Sequence, residues 1–144
     1  MSAFFSRQCE YALQAVVYLA LRPGGDLTPT NDLCRRLAVP YHFVAKILQS
    51  LVNRGILESR RGPHGGFTLA TSPEHITLLE VVMAVDGDDF STRCVMGFPD
   101  CSGKKPCAVH DQWGSLREGI VNMLSSKSIA QMAKEMRKPE YRRR

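Results

Sequence analysis

One stretch limits what this chain can become: Cys94 to His110, CVMGFPDCSGKKPCAVH. Gly97, Pro99, Gly103 and Pro106 interrupt any helix or strand there, and Lys104 and Lys105 add charge without apolar bulk. Such a loop cannot hold itself by hydrophobic burial. It carries three of the chain's five cysteines, spaced Cys-x6-Cys-x5-Cys at Cys94, Cys101 and Cys107, with His110 three residues further on. Thiolates grip soft metals and iron–sulfur clusters, so ligation is the expected source of order. The competing readings are a disordered loop and one pinned by a single disulfide. The first interval is wider than the Cys-x2-Cys knuckle of most structural zinc sites, which favours a cluster. The spacing fits 2Fe–2S and 4Fe–4S equally.

The rest of the chain must supply the body that carries this loop. Its 144 residues suit one globular domain with a helical extension, and a hydrophobic share of 44% provides a core of ordinary size. Five cysteines, an odd number with three in one loop, make a poor disulfide framework and point to a reducing cytoplasm. The apolar run from Tyr11 to Leu21 has no small-residue cleavage site after it and is too short to span a bilayer. A cytoplasmic, unprocessed chain with no membrane partner is therefore expected. The net charge of +5 is segregated: residues 1–66 carry 8 Lys/Arg against 4 Asp/Glu, residues 112–144 carry 8 against 3, and residues 67–111 carry 3 against 7. A basic N-terminal half suits a phosphate-binding surface, although a merely solvated face has the same composition.

Taken in order, Ser6 is a plausible N-cap for a helix over residues 8–21 that is apolar on most sides and so must be buried by its neighbours. Glu10 falls in its first turn, where the helix dipole alone accounts for a carboxylate. Thr28-Pro29 reads as an N-cap and first helical residue of a short helix over 29–38, with Cys34 near its buried stripe as a small hydrophobe. A third helix follows Val39-Pro40 and stops at Gly55. Its buried stripe is Val44, Ile47, Leu48 and Leu51, and its other face offers His42, Lys46, Gln49 and Asn53. Two short helices joined tightly, the second polar and basic outward, form a helix-turn-helix pattern.

Ile56 to Arg61 and Phe67 to Ala70 then read as short strands around Gly62-Pro63-His64-Gly65-Gly66, a wing with Arg60 and Arg61 at its shoulder. Thr77 and Glu80 form a capping box, Ile76 and Val81 a hydrophobic staple, and Gly87 a stop for the next helix. A long last helix starts near Ala108, with a heptad seam of Trp113, Leu116, Ile120 and Met123 suited to a partner helix or to the chain's own body. Ile129, Met132 and Met136 continue the apolar stripe, and the tail from Lys138 to Arg144 reads as frayed and solvated.

In this order the pieces resemble the winged-helix repressors typified by the iron–sulfur cluster regulator and the nitric-oxide-sensitive repressor. The resemblance covers nearly the whole chain and rests on Glu10-Tyr11-Ala12-Leu13, on Arg61 to Phe67, on Ile76 to Gly87 and on Cys107 to Trp113. It implies a mainly α fold with a small β wing, a homodimer, one cluster per subunit and binding to double-stranded promoter DNA. It places the cluster ligands at Cys94, Cys101 and Cys107. Family members take their fourth ligand either from a histidine matching His110 or from an acidic residue of the other subunit matching Glu10; this sequence has both. It departs from the common Cys-x5-Cys-x5-Cys spacing by one residue. The family's DNA-reading positions fall on His42, Ala45 and Lys46, and Ala45 cannot hydrogen-bond a base edge, so the operator differs from those of better-known members.

The expected organisation is a winged helix-turn-helix domain over 1–87, a cysteine-rich cluster loop over 88–111, and a dimerisation helix with a basic tail over 112–144. The expected function is transcriptional repression, with operator binding through His42, Lys46, Gln49, Arg60, Arg61 and His64. An iron–sulfur cluster sensing redox state, nitric oxide or iron–sulfur status would control it. The same fold with zinc or a thiol–disulfide switch is the alternative. An enzyme built on Cys107, His110 and Asp111 is not expected, because three groups within one helical turn rarely converge as nucleophile, base and orienter.

Overall fold

α1 (Arg7–Leu21) is wrapped by its neighbours, which explains its apolar composition. Cys9, Ala12, Ala15, Val16, Val17 and Leu19 are buried on it, and α2, α3, α4, α7 and the second wing strand all contact it. Ser6 caps it as expected, its hydroxyl accepting from the Cys9 N–H at 3.1 Å. The computed structural model describes residues 4–137, so the tail from Lys138 to Arg144 lies outside the described residues.

α2 (Thr30–Leu37) and α3 (Tyr41–Asn53) pack on each other across a turn in which Ala38 takes a left-handed φ of 55°. The α3 stripe of Val44, Ile47, Leu48 and Leu51 is buried as expected. Its end follows the sequence too: Arg54 is the C-cap and Gly55 turns at φ 75°. The start of α2 does not. Thr28 caps nothing; it exchanges two backbone hydrogen bonds with Phe67, both 2.9 Å, and Pro29 occupies the cap position instead. An extended Thr28 paired on both sides satisfies two backbone groups, where a side-chain cap would satisfy one donor.

This pairing adds a bridge on the free edge of β2 to the hairpin of β1 (Leu57–Arg60) and β2 (Gly66–Leu69), which run antiparallel with Leu57 opposite Leu69 and Arg60 opposite Gly66. Gly66 is required there. A Cβ on it would lie 2.5 Å from the Thr28 carbonyl oxygen. The wing is thereby tied to the entry of the helix-turn-helix rather than hanging from β1 alone.

α4 (Leu78–Asp86) starts with the Thr77 hydroxyl accepting from the Glu80 N–H at 3.2 Å, over a buried Ile76–Val81 staple. Its last residue reaches back to the start of α1. Asp86 accepts from the Ser6 N–H at 2.9 Å and from the Ser6 hydroxyl at 2.5 Å. The short α5 (Asp89–Thr92) leads into the cysteine loop, and α6 (His110–Ser126) leaves it.

The apolar stripe does not run on from α6 along one rod. At Lys127 the chain turns, and Ser128 and Gln131 form a reciprocal capping box for α7 (Ile129–Met136). Backbone bonds from Ile129 N–H to the Ile76 carbonyl, 2.7 Å, and from Leu78 N–H to the Lys127 carbonyl, 3.3 Å, sew this turn to the start of α4. Ile129 and Ala133 are then buried against the α1 core. Full burial of a side chain like Ile129 contributes about 1.5–3 kcal/mol toward holding α7 on its own domain, beside the capping box and the main-chain bonds.

Candidate metal centre and nucleic-acid interface

The loop between α5 and α6 is a chain of tight turns with a cysteine at each joint. Gly97 N–H bonds the Cys94 carbonyl at 3.0 Å, Cys101 N–H bonds Phe98 at 3.3 Å, and His110 N–H bonds Cys107 at 3.2 Å. Ser102 and Lys105 close a further turn between the second and third cysteines. Val95, Met96 and Phe98 all point to solvent, so the loop has no apolar core of its own. Its sulfurs nevertheless converge: Cys94, Cys101 and Cys107, each half-buried, place their Sγ atoms within 4.8 Å of one another. Cys94 and Cys107 are 3.8 Å apart, and the His110 Nδ1 is 3.3 Å from Cys101 Sγ.

The three thiols differ chemically. Burial pushes the Cys94 thiol up, but backbone N–H groups of Phe98 and Met96, with the two neighbouring sulfurs, outweigh it and bring Cys94 down to about 7. At Cys101 the Cys107 N–H favours the thiolate, while burial and the adjacent sulfurs prevail and raise the thiol. Three soft donors in one half-buried group, one of them already near deprotonation at neutral pH, suit a soft metal or an iron–sulfur cluster. Among the described residues this is the group whose donors converge in that way. Glu10, half-buried on the first turn of α1, is outside it.

The other two cysteines are held by packing. Cys34 lies against the main core. Cys9 is fully buried beside Val82 and Leu124, and burial, reinforced by nearby Asp86, pushes its thiol up to about 12. It is a core residue at the junction of α1, α4 and α6.

Trp113 does more than the seam expected of it. Its Nε1–H donates to the Arg93 carbonyl at 3.0 Å, Arg117 Nη1 reaches the same oxygen at 3.4 Å, and its ring stacks on Phe4 at 6.2 Å. Since Arg93 precedes Cys94, α6 thereby grips the root of the cysteine loop. No local pattern announces a hydrogen bond across twenty residues, although a lone Trp with an N–H to satisfy invites the search. Further along the seam Leu116 is 64% and Met123 54% exposed, and Ile120 is half-buried.

On the helix-turn-helix, α3 turns His42, Lys46, Gln49 and Asn53 to solvent, with Gln49 Nε2 donating to Asn53 Oδ1 at 3.0 Å. Ala45 is half-buried between them. Arg60, Arg61 and His64 are exposed on the wing. Two exposed side chains on α3 escaped the sequence reading, Tyr41 and Phe43. Counting 100° per residue sets both at the edges of the buried stripe, Tyr41 about 20° beyond Leu48 and Phe43 about 40° beyond Ile47, so the periodicity alone does not announce their exposure.

A helix-turn-helix with a paired wing, a thiol-lined loop and an apolar seam left open define a winged-helix transcriptional regulator. The chain belongs to the Rrf2 family, described as an iron-dependent transcriptional regulator, which matches residues 5–135. It is 33% identical over 128 residues to an HTH-type transcriptional regulator of Aquifex aeolicus, covering 87% of this chain and 88% of that one. It is 31% identical over 122 residues to the HTH-type regulator IscR of Photorhabdus laumondii, covering 85% and 74%. CymR, the global cysteine regulator of B. subtilis, shares the fold with a TM-score of 0.77 at 23% identity, over 91% of this chain and 96% of that one. IscR of T. potens does so with a TM-score of 0.70 at 22% identity, over 90% and 85%. The family consists of DNA-binding regulators, not enzymes. Consistently, the His110 ring nitrogen faces Cys101 rather than the Cys107 that a local triad would need. No helix among the described residues is long and apolar enough to cross a membrane.

Proposed function

We propose that this chain is a homodimeric, cytoplasmic repressor whose grip on promoter DNA is set by an iron–sulfur cluster on Cys94, Cys101 and Cys107. The convergence of three sulfurs within 4.8 Å on a loop without an apolar core carries the reading. When bound, the cluster supplies a centre that exchanges electrons and reacts with nitric oxide. The protein's part is to hold it at the head of α6 and to let the state of the loop bias the helices it touches. His42, Lys46 and Gln49 enter the major groove, while Arg60, Arg61 and His64 follow phosphate or a narrow minor groove. Leu116 and Met123 face the second copy, whose approach brings Glu10 of the partner subunit toward the loop as fourth ligand, in competition with His110.

The 3.8 Å separation of Cys94 and Cys107 supports a second reading, in which zinc or a disulfide orders the loop. Anaerobic purification separates the two. Brown protein with iron and sulfide supports the cluster, whereas colourless protein with zinc or no metal supports the alternative. Serine at Cys94, Cys101 or Cys107 is expected to abolish stable iron binding, and Cys34→Ser to leave it intact. Iron retained after replacement of two loop cysteines would overturn the assignment. For the fourth ligand, a mixed dimer of Glu10→Ala and Cys101→Ser subunits keeps about one cluster if Glu10 ligates across the interface, and none if it ligates within its own subunit. A full complement in Glu10→Ala homodimers transfers the role to His110.

A further inference from the structure

The first turn of α3 presents aromatic rings where a helix laid in the major groove presents its reading end. Tyr41 is 57% and Phe43 47% exposed, and the Phe43 ring lies against the His42 imidazole with centroids 4.3 Å apart. Polar reach at this end comes from His42 and Lys46. Ala45 has none, and further along Gln49 and Asn53 already bond to each other. A phenyl ring cannot bond to phosphate or to a base-edge donor or acceptor. The major-groove edge offers one apolar group that it can bury against, the C5 methyl of thymine.

We infer that Phe43, propped by His42, is a specificity-determining residue that packs on a thymine methyl in each half-site. The inference rests on the reading of α3 as the DNA-reading helix and adds what that helix selects. The prop matters because a ring seated on its neighbour loses less rotamer freedom on binding than a free one. Tyr41 lies about 200° around the helix from Phe43 and cannot share the same base step.

The test begins with a duplex enriched from a randomised pool by the full chain. Each thymine is then replaced singly by deoxyuridine, which lacks only the methyl. At one thymine per half-site, wild-type protein should bind about fourfold more weakly to the deoxyuridine duplex, the effect of losing one buried methyl. Phe43→Ala, folded by circular dichroism, should bind the thymine and deoxyuridine duplexes equally, and Tyr41→Ala should keep the wild-type sensitivity. Indifference of the wild type to every such replacement overturns the inference, as does an undiminished loss in Phe43→Ala. If no form of the protein enriches any duplex, the DNA-binding reading of α3 falls and takes this inference with it.

Discussion

Gly66→Ala tests how the wing is built. The added Cβ would sit 2.5 Å from the Thr28 carbonyl oxygen and 2.6 Å from its carbon, and both are backbone atoms that cannot swing aside. The Thr28–Phe67 rung must therefore open, losing two backbone hydrogen bonds of 2.9 Å. Each contributes about 1 kcal/mol net. Thr28 is fully buried, so its freed groups are not readily hydrated, and the expected loss is about 2–3 kcal/mol. For a chain of this size that lowers Tm by about 5–10 °C. Gly62→Ala is the control. Its φ is also left-handed, 109°, but nothing lies within 4 Å of its Cβ position, so only the conformational penalty of about 1 kcal/mol remains. Thermal unfolding of the metal-free full chain, followed by far-UV circular dichroism, ranks the two. A Gly66→Ala protein melting within 2 °C of wild type, or above Gly62→Ala, would refute the argument.

Trp113→Phe keeps an aromatic ring, though a smaller one, and removes the donor to the Arg93 carbonyl; a loss of about 1 kcal/mol should speed tryptic cleavage after Lys104 about fivefold, and a rate within twofold of wild type would contradict the anchoring role. Arg60→Ala and Arg61→Ala should each weaken binding across sequences and reduce the salt slope by about 1, whereas Lys46→Ala should change sequence preference; unchanged slopes in filter binding would remove the wing from the phosphate backbone. Leu116→Glu should yield monomers in analytical ultracentrifugation at micromolar concentration, because it sets a charge in the exposed seam; an intact dimer would place the interface elsewhere.

Local chemistry was legible where it was also decisive. Ser6, Thr77 and Gly87 cap their helices as their types suggest, and the 3.6-residue stripe of α3 is buried residue for residue. Thr28-Pro29 misled because two local preferences competed: a capping threonine before proline is also an extended residue, and an unpaired strand edge in the wing was waiting for it. The end of α6 was readable in principle, since Ser128 and Gln131 have capping-box spacing, but the apolar stripe of Ile129, Met132 and Met136 suggested continuity. Three features had no local signature. Asp86 reaching Ser6 across 80 positions, Trp113 reaching Arg93, and Cys9 sinking into the small second core are consequences of packing alone. The three loop cysteines were visible as types and spacing; their convergence required the turns that the loop's backbone bonds define.

The backbone stitch between Ile76 and Ile129 gives α6 a mechanical character. Its far end is riveted to the body of the domain through main-chain bonds at Lys127 and Ile129, while its near end is latched to the root of the cysteine loop by side chains, Trp113 and Arg117 on one carbonyl. A rod fixed at one end and latched at the other moves as a lever. Seventeen residues make it about 25 Å long, so a displacement of about 2 Å at His110 tilts the axis by roughly 5° about Lys127. Because Leu116 and Met123 ride on that rod at different distances from the pivot, the same tilt swings Leu116 further than Met123. In the dimer proposed above, rearrangement at the cysteine loop would thus reach the second copy as a change of angle rather than as a loss of contact, and two reading helices held by such levers would change their spacing without either unfolding.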